Sequence, residues 1–140
     1  MIETKQGWRS LPGGTREPGE SIEETATREL AEEVGGALTG PLAWVGAFRV
    51  DHSKVGRHRP HLPFPISYWA YLAADVELLD SVGRPGAGEQ VVSVRTLPPS
   101  AAIAFLADFD DGPVTDVVRL AHAMGLTGQH GEIGRNGVVT

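Results

Sequence analysis

The stretch Ser21-Ile22-Glu23-Glu24-Thr25-Ala26-Thr27-Arg28-Glu29-Leu30-Ala31-Glu32-Glu33-Val34-Gly35 decides how the rest of the chain is read. Ser21 and Glu24 have the S-x-x-E spacing of a capping box, and Gly35 stands where a helix stop is expected, so the spacing predicts a helix over 21–34. An ideal helix turns by about 100° per residue. With Glu29 at zero, Ile22, Ala26, Leu30 and Val34 form an apolar stripe at roughly 20° to 140°, with Glu33 at about 40° and Glu32 at about −60°. Glu33 therefore falls inside the face that must be buried, and Glu29 at its edge.

Burying an unpaired carboxylate is costly, and crowding two together raises their pKa values. Arg28 can pair with Glu32 one turn on and with Glu24 one turn back, but one guanidinium cannot neutralise Glu29, Glu32 and Glu33 together. A divalent cation can, and the i, i+3, i+4 spacing suits Mg²⁺ or Mn²⁺ with several waters retained. The alternative is a solvated acidic face, the commonest fate of a Glu-rich helix. Glu23 falls in the apolar stripe by the same arithmetic, but the first turn gives it an easy route to solvent.

Outside this segment the composition sets bounds. A chain of 140 residues, 41% hydrophobic and without cysteine, fits one domain with a real core. The absence of cysteine excludes disulfides, thiolate zinc sites and cysteine nucleophiles, so any metal must be held by oxygen or imidazole. No run approaches the roughly 18 apolar residues of a membrane span, and Met1-Ile2-Glu3-Thr4-Lys5 lacks the apolar core of a signal peptide. A soluble, cytoplasmic protein with no membrane partner is expected. The formal net charge is −6, and five of those charges come from seven glutamates set against Arg16 and Arg28 between Arg16 and Glu33. The net charge argues against a nucleic acid polymer as partner, since such binding depends on clustered Lys and Arg, and none is expected.

Glycine and proline cut the rest into short elements. A short strand is expected over 7–11, paired strands over 42–50 and 66–72, a further strand over 90–95, and helices over 101–109 and 114–124. The segment 51–65 carries His52, Lys54, Arg57, His58, Arg59 and His61 and reads as an exposed basic loop. The histidines lack ligand spacing and are read as loop residues. Trp44, Trp69 and Tyr71 could stack on a base, but aromatics in strands are more often core. Residues 127–140 lack periodicity, so a domain over 1–126 with a mobile tail is expected.

Gly14, five residues, Glu20, seven residues, then Arg28-Glu29-Leu30-Ala31-Glu32-Glu33-Val34-Gly35 resembles the Nudix box, G-x5-E-x7-R-E-U-x-E-E-x-G-U, with U aliphatic. Gly36 departs from it at the last position. The lead-in Trp8-Arg9-Ser10-Leu11-Pro12-Gly13-Gly14 is similar to the W-x-x-LPGG common in that family. The resemblance implies an α/β/α sandwich around a mixed sheet and a pyrophosphohydrolase that cleaves a nucleoside diphosphate linked to another group. It implies Glu29 and Glu33 as metal ligands, Glu32 as a third ligand or the base, and the Gly13 carbonyl as a further ligand. Gly14 and Glu20 would support the site, and Arg28 would orient the carboxylates. Glu89 stands where a distal glutamate serves as base or ligand in many members. Arg57 and Arg59 are candidates for the substrate's phosphates, which the carboxylates would otherwise repel.

Only 13 residues precede Gly14, fewer than the family usually has, so the usual N-terminal strand is expected to be lacking. Two readings follow: the native protein starts upstream, or a second copy supplies the strand in a homodimer. A function of another class, a nucleotide-binding sensor or regulatory domain without turnover, is the alternative to the hydrolase.

Overall fold

The computed structural model describes residues 1–57, 59–79, 91–128 and 138–139. Helix α1 spans Ile22–Val34. Its start is a complete capping box: the Ser21 hydroxyl accepts from the Glu24 N–H at 3.2 Å, and the Ser21 N–H donates to the Glu24 carboxylate at 2.7 Å. Its end is Gly35, left-handed at φ 63°, a conformation glycine adopts without a Cβ penalty. The expected helix thus forms with its expected stops.

Strands β1 (Ile2–Thr4) and β2 (Arg9–Ser10) pair antiparallel, and β1 also pairs with β7 (Val91–Val94). β3 (Gly36–Leu38) pairs with β6 (Val76–Leu78). The long strands β4 (Ala43–Asp51) and β5 (Ile66–Ala74) form the expected antiparallel ribbon, and β8 (Val138–Val139) joins β5 at Ala73 and Ala74. The resemblance implied one mixed sheet; the described pairings are all antiparallel and fall into three small sheets, β2-β1-β7, β3-β6 and β4-β5-β8. The sequence reading assigned no strand to β1, β3 or β6. Each has three residues, too few for a period of two to be read.

Two apolar clusters carry the packing. The helices α2 (Pro99–Ala107) and α3 (Pro113–Ala123) start with proline in the first turn, where its missing N–H costs nothing. Ala102, Leu106, Val117, Val118 and Ala121 from these helices meet Leu11, Val45 and Ala73. On α1, Leu30 and Val34 meet Ile2 and Val76. Gly36 fits tightly here: a Cβ would stand 3.0 Å from Val76, 3.1 Å from Leu30 and 3.2 Å from Val34, so the aliphatic residue of the family pattern would make these side chains shift by a few tenths of an ångström.

Two expectations about burial are corrected. Trp44 and Trp69 are 56% and 57% exposed instead of core. A bulge between Trp44 and Gly46 is the reason in β4: Trp44 faces Leu72, Gly46 faces Tyr71, and the extra residue Val45 enters the core in place of Trp44. Trp69 lies opposite Phe48; Phe48 and the partly buried Tyr71 meet edge-on and pack against the α2–α3 cluster, whereas Trp69 stands mostly in solvent. Ile22, assigned to the buried stripe, is exposed because it is the first residue of α1 and lies beyond the covered turns. Glu23 is exposed in the same turn, as expected.

Candidate functional site

The site is built from α1 and the loop that leads into it. Leu11 and Pro12 are buried, which fixes the corner Pro12-Gly13-Gly14 against the core. Gly13 N–H donates to the Glu33 carboxylate at 2.7 Å. The Glu29 carboxylate lies where a side chain on residue 14 would begin: a Cβ on Gly14 would collide with Glu29 Oε1, Cδ and Oε2. Glycine at 14 lets the Glu29 carboxylate rest there, and any larger residue would displace it. The structure brings Gly13, Gly14, Glu29 and Glu33 together at one corner, with Glu29 and Glu33 half-buried and Glu32 exposed, in keeping with the helix arithmetic.

Arg28 sits beside this corner and organises the acids. Its Nε donates to Glu20 Oε1 at 2.7 Å and its Nη2 to Glu20 Oε2 at 3.1 Å, a two-point grip. Its Nη1 donates to Glu29 at 2.7 Å and reaches Glu32 at 3.4 Å, and Nη2 also donates to the Thr15 carbonyl at 3.2 Å. The expected pairing with Glu24 does not occur, because the Glu24 carboxylate is taken by the Ser21 N–H in the capping box. Glu20 accepts two further bonds, from the Glu17 N–H and the Thr25 hydroxyl, both 2.9 Å. The Arg28 guanidinium, followed by the Glu17 N–H, draws the Glu20 carboxyl down from 4.5 to about 2. The same grip on Glu20, then on Glu29, raises the Arg28 pKa above its already high ordinary value.

Thr15 and Thr25 were not singled out from the sequence. Thr15 acts through its carbonyl, which no side-chain pattern marks. Thr25 had a signal, since it lies one turn before Glu29 and so on the same side of α1.

The basic loop touches the approach to α1. His61 Nε2 lies 2.7 Å from the Arg16 carbonyl, and because a carbonyl only accepts, that nitrogen carries the proton. Arg59 Nη1 lies 3.4 Å from Glu17. Arg57 is turned back on its own loop, donating to the Pro60 carbonyl at 2.8 Å with its guanidinium 5.6 Å from the Phe64 ring. His52 Nε2 lies 2.7 Å from the Ser67 hydroxyl. Glu89 and His58 lie outside the described residues, as does most of the segment assigned to the tail.

The donor set at the corner suits a hard divalent cation. Glu29 and Glu33 offer carboxylate oxygens at the Gly13-Gly14 backbone, and the space beside Gly14 is one that a Cβ would fill. Among the described residues no three acidic or histidine side chains are gathered into a ready-made metal cage. The arrangement holds the acids in place through Arg28 and the backbone instead.

A family model of the NUDIX domain matches residues 2–117. The chain belongs to the Nudix family. Its members act as hydrolases of nucleoside diphosphate derivatives and generally use divalent metals. Searches of curated proteins and of solved structures find no match. No helix among the described residues is long and apolar enough to cross a membrane.

Proposed function

We propose that the chain is a Mg²⁺-dependent pyrophosphohydrolase, with Mn²⁺ able to substitute, acting on a nucleoside diphosphate linked to another group. The observation that carries this reading is the convergence of Glu29 and Glu33 on the Gly13-Gly14 corner, where one glycine leaves room for a carboxylate and the other donates to one. The metal, when bound, supplies charge neutralisation of the phosphates and activation of a water as nucleophile. Glu29 and Glu33 would hold it, with Glu32 or the Gly13 carbonyl as a further ligand. Arg28 keeps Glu29 and Glu32 oriented and is itself held by Glu20.

A carboxylate of this set takes the proton from the attacking water, and attack on phosphorus expels the other phosphate. Glu32, the most exposed of the acids held by Arg28, and Glu89 are the candidates for that base. Arg59 stands next to the approach loop, where it would offset the repulsion between an anionic substrate and the acids, with Arg57 from the same loop. The fold in which we place the site is the α/β/α sandwich of the family, supported by α1 in one apolar cluster and α2 and α3 in the other.

The test is a panel of nucleoside diphosphate derivatives incubated with the protein, with Mg²⁺ and with chelator. Cleavage of at least one compound at the pyrophosphate, abolished by chelation, is expected. No cleavage of any compound, together with saturable nucleotide binding, would replace the hydrolase by a sensor.

A further inference from the structure

The corner that meets Glu29 and Glu33 hangs from β2, a strand of two residues whose ladder is limited to Ser10 and Arg9 opposite Ile2 and Glu3. So short a ladder fixes a strand poorly, and its side chains must supply the rest. Arg9 does so across 99 residues of sequence. Its Nη1 donates to the Asp108 carboxylate at 2.7 Å and to the Phe105 carbonyl at 3.0 Å, at the C-terminal end of α2. Its guanidinium carbon stands 4.5 Å from the centre of the Phe105 ring. Three contacts from one planar group to one helix end leave it little freedom, and the side chain is half-buried. From Arg9 the chain runs through buried Leu11 and Pro12 directly into Gly13, the donor to Glu33.

Resting on the metal site proposed above, we infer that Arg9 is a positioning residue: by anchoring β2 to Phe105 of α2 and to Asp108 at its C-cap, it sets where the Gly13-Gly14 corner meets Glu29 and Glu33. Arg95 provides an internal control. Its guanidinium lies 4.9 Å from the same ring, but it follows β7 and does not lead into the corner.

The test is Mn²⁺ binding, followed by electron paramagnetic resonance, on the whole chain and on Arg9→Gln, Asp108→Asn and Arg95→Gln, with a thermal melt of each metal-free protein. Arg9→Gln should weaken Mn²⁺ binding by about tenfold, the scale for groups that orient a ligand without touching the metal. Asp108→Asn, which alters only an exposed group at the C-cap of α2, should weaken it in the same direction by less, and keeps the test decisive if Arg9→Gln does not fold. Arg95→Gln should bind as the unaltered chain does. Equal binding by the unaltered chain, Arg9→Gln and Asp108→Asn would overturn the positioning role while leaving the metal site standing. No Mn²⁺ binding by the unaltered chain would overturn the metal site and the positioning role with it.

Discussion

On α1 the charged side chains are held by one another and by the loop before the helix, whereas on the β4–β5 ribbon the aromatic residues Trp44, Tyr68 and Trp69 stand mostly in solvent. Hydrophobicity alone would have arranged the two regions the other way round. The acids are gathered because local spacing and one arginine make gathering tolerable, and on the ribbon a bulge puts Val45 into the core and leaves Trp44 outside. Position in the fold, more than residue type, sets which groups are constrained.

The comparison can be broken first at its core. Leu30 is 1% exposed between α1 and the strands beneath it, so Leu30→Ala should cost about 2–5 kcal/mol by denaturant unfolding, through lost burial and the cavity left behind. A cost near zero would mean that α1 is not packed as described. Next is Gly14→Ala, which should cost no more than about 1 kcal/mol, because the new methyl displaces the Glu29 carboxylate from its bond to Arg28. In a Glu29→Ala background the same change should cost much less, and equal costs in both backgrounds would separate Gly14 from Glu29.

The acid network gives a narrower effect, confined to low pH. Glu20 is drawn down from 4.5 to about 2, so its contribution to stability is full above pH 4.5 and is lost as pH falls toward 2. Stability measured in pH steps across that window should fall less steeply for Glu20→Gln than for the unaltered chain. Parallel curves would remove the two-point grip of Arg28. The smallest effect belongs to the ribbon: Trp44→Ala should change stability by no more than about 0.5 kcal/mol, and a cost on the scale of Leu30→Ala would show that its face is covered.

This contrast also explains what could be read from the sequence. α1, its caps and the burial of Glu29 and Glu33 relative to Glu32 depend on neighbours three or four residues away, and the pattern of one helix contains them. The pairing of β4 with β5 was legible because both are long. The bulge at Val45 was not, since nothing in an alternating strand marks where one extra residue is inserted. Nor were the grip of Arg28 on Glu20 across the approach loop, or the contact of Arg9 with Asp108, because both depend on where distant backbone comes to rest.

The central claim is that Glu33, held at the Gly13-Gly14 corner, belongs to a metal site that performs hydrolysis. The most direct measurement is the Mg²⁺-dependent cleavage rate of Glu33→Gln, which keeps the shape of the side chain and removes its charge. The rate on any compound the unaltered chain cleaves should fall by at least about a hundredfold, with the fold intact by circular dichroism. An unchanged rate would contradict the account.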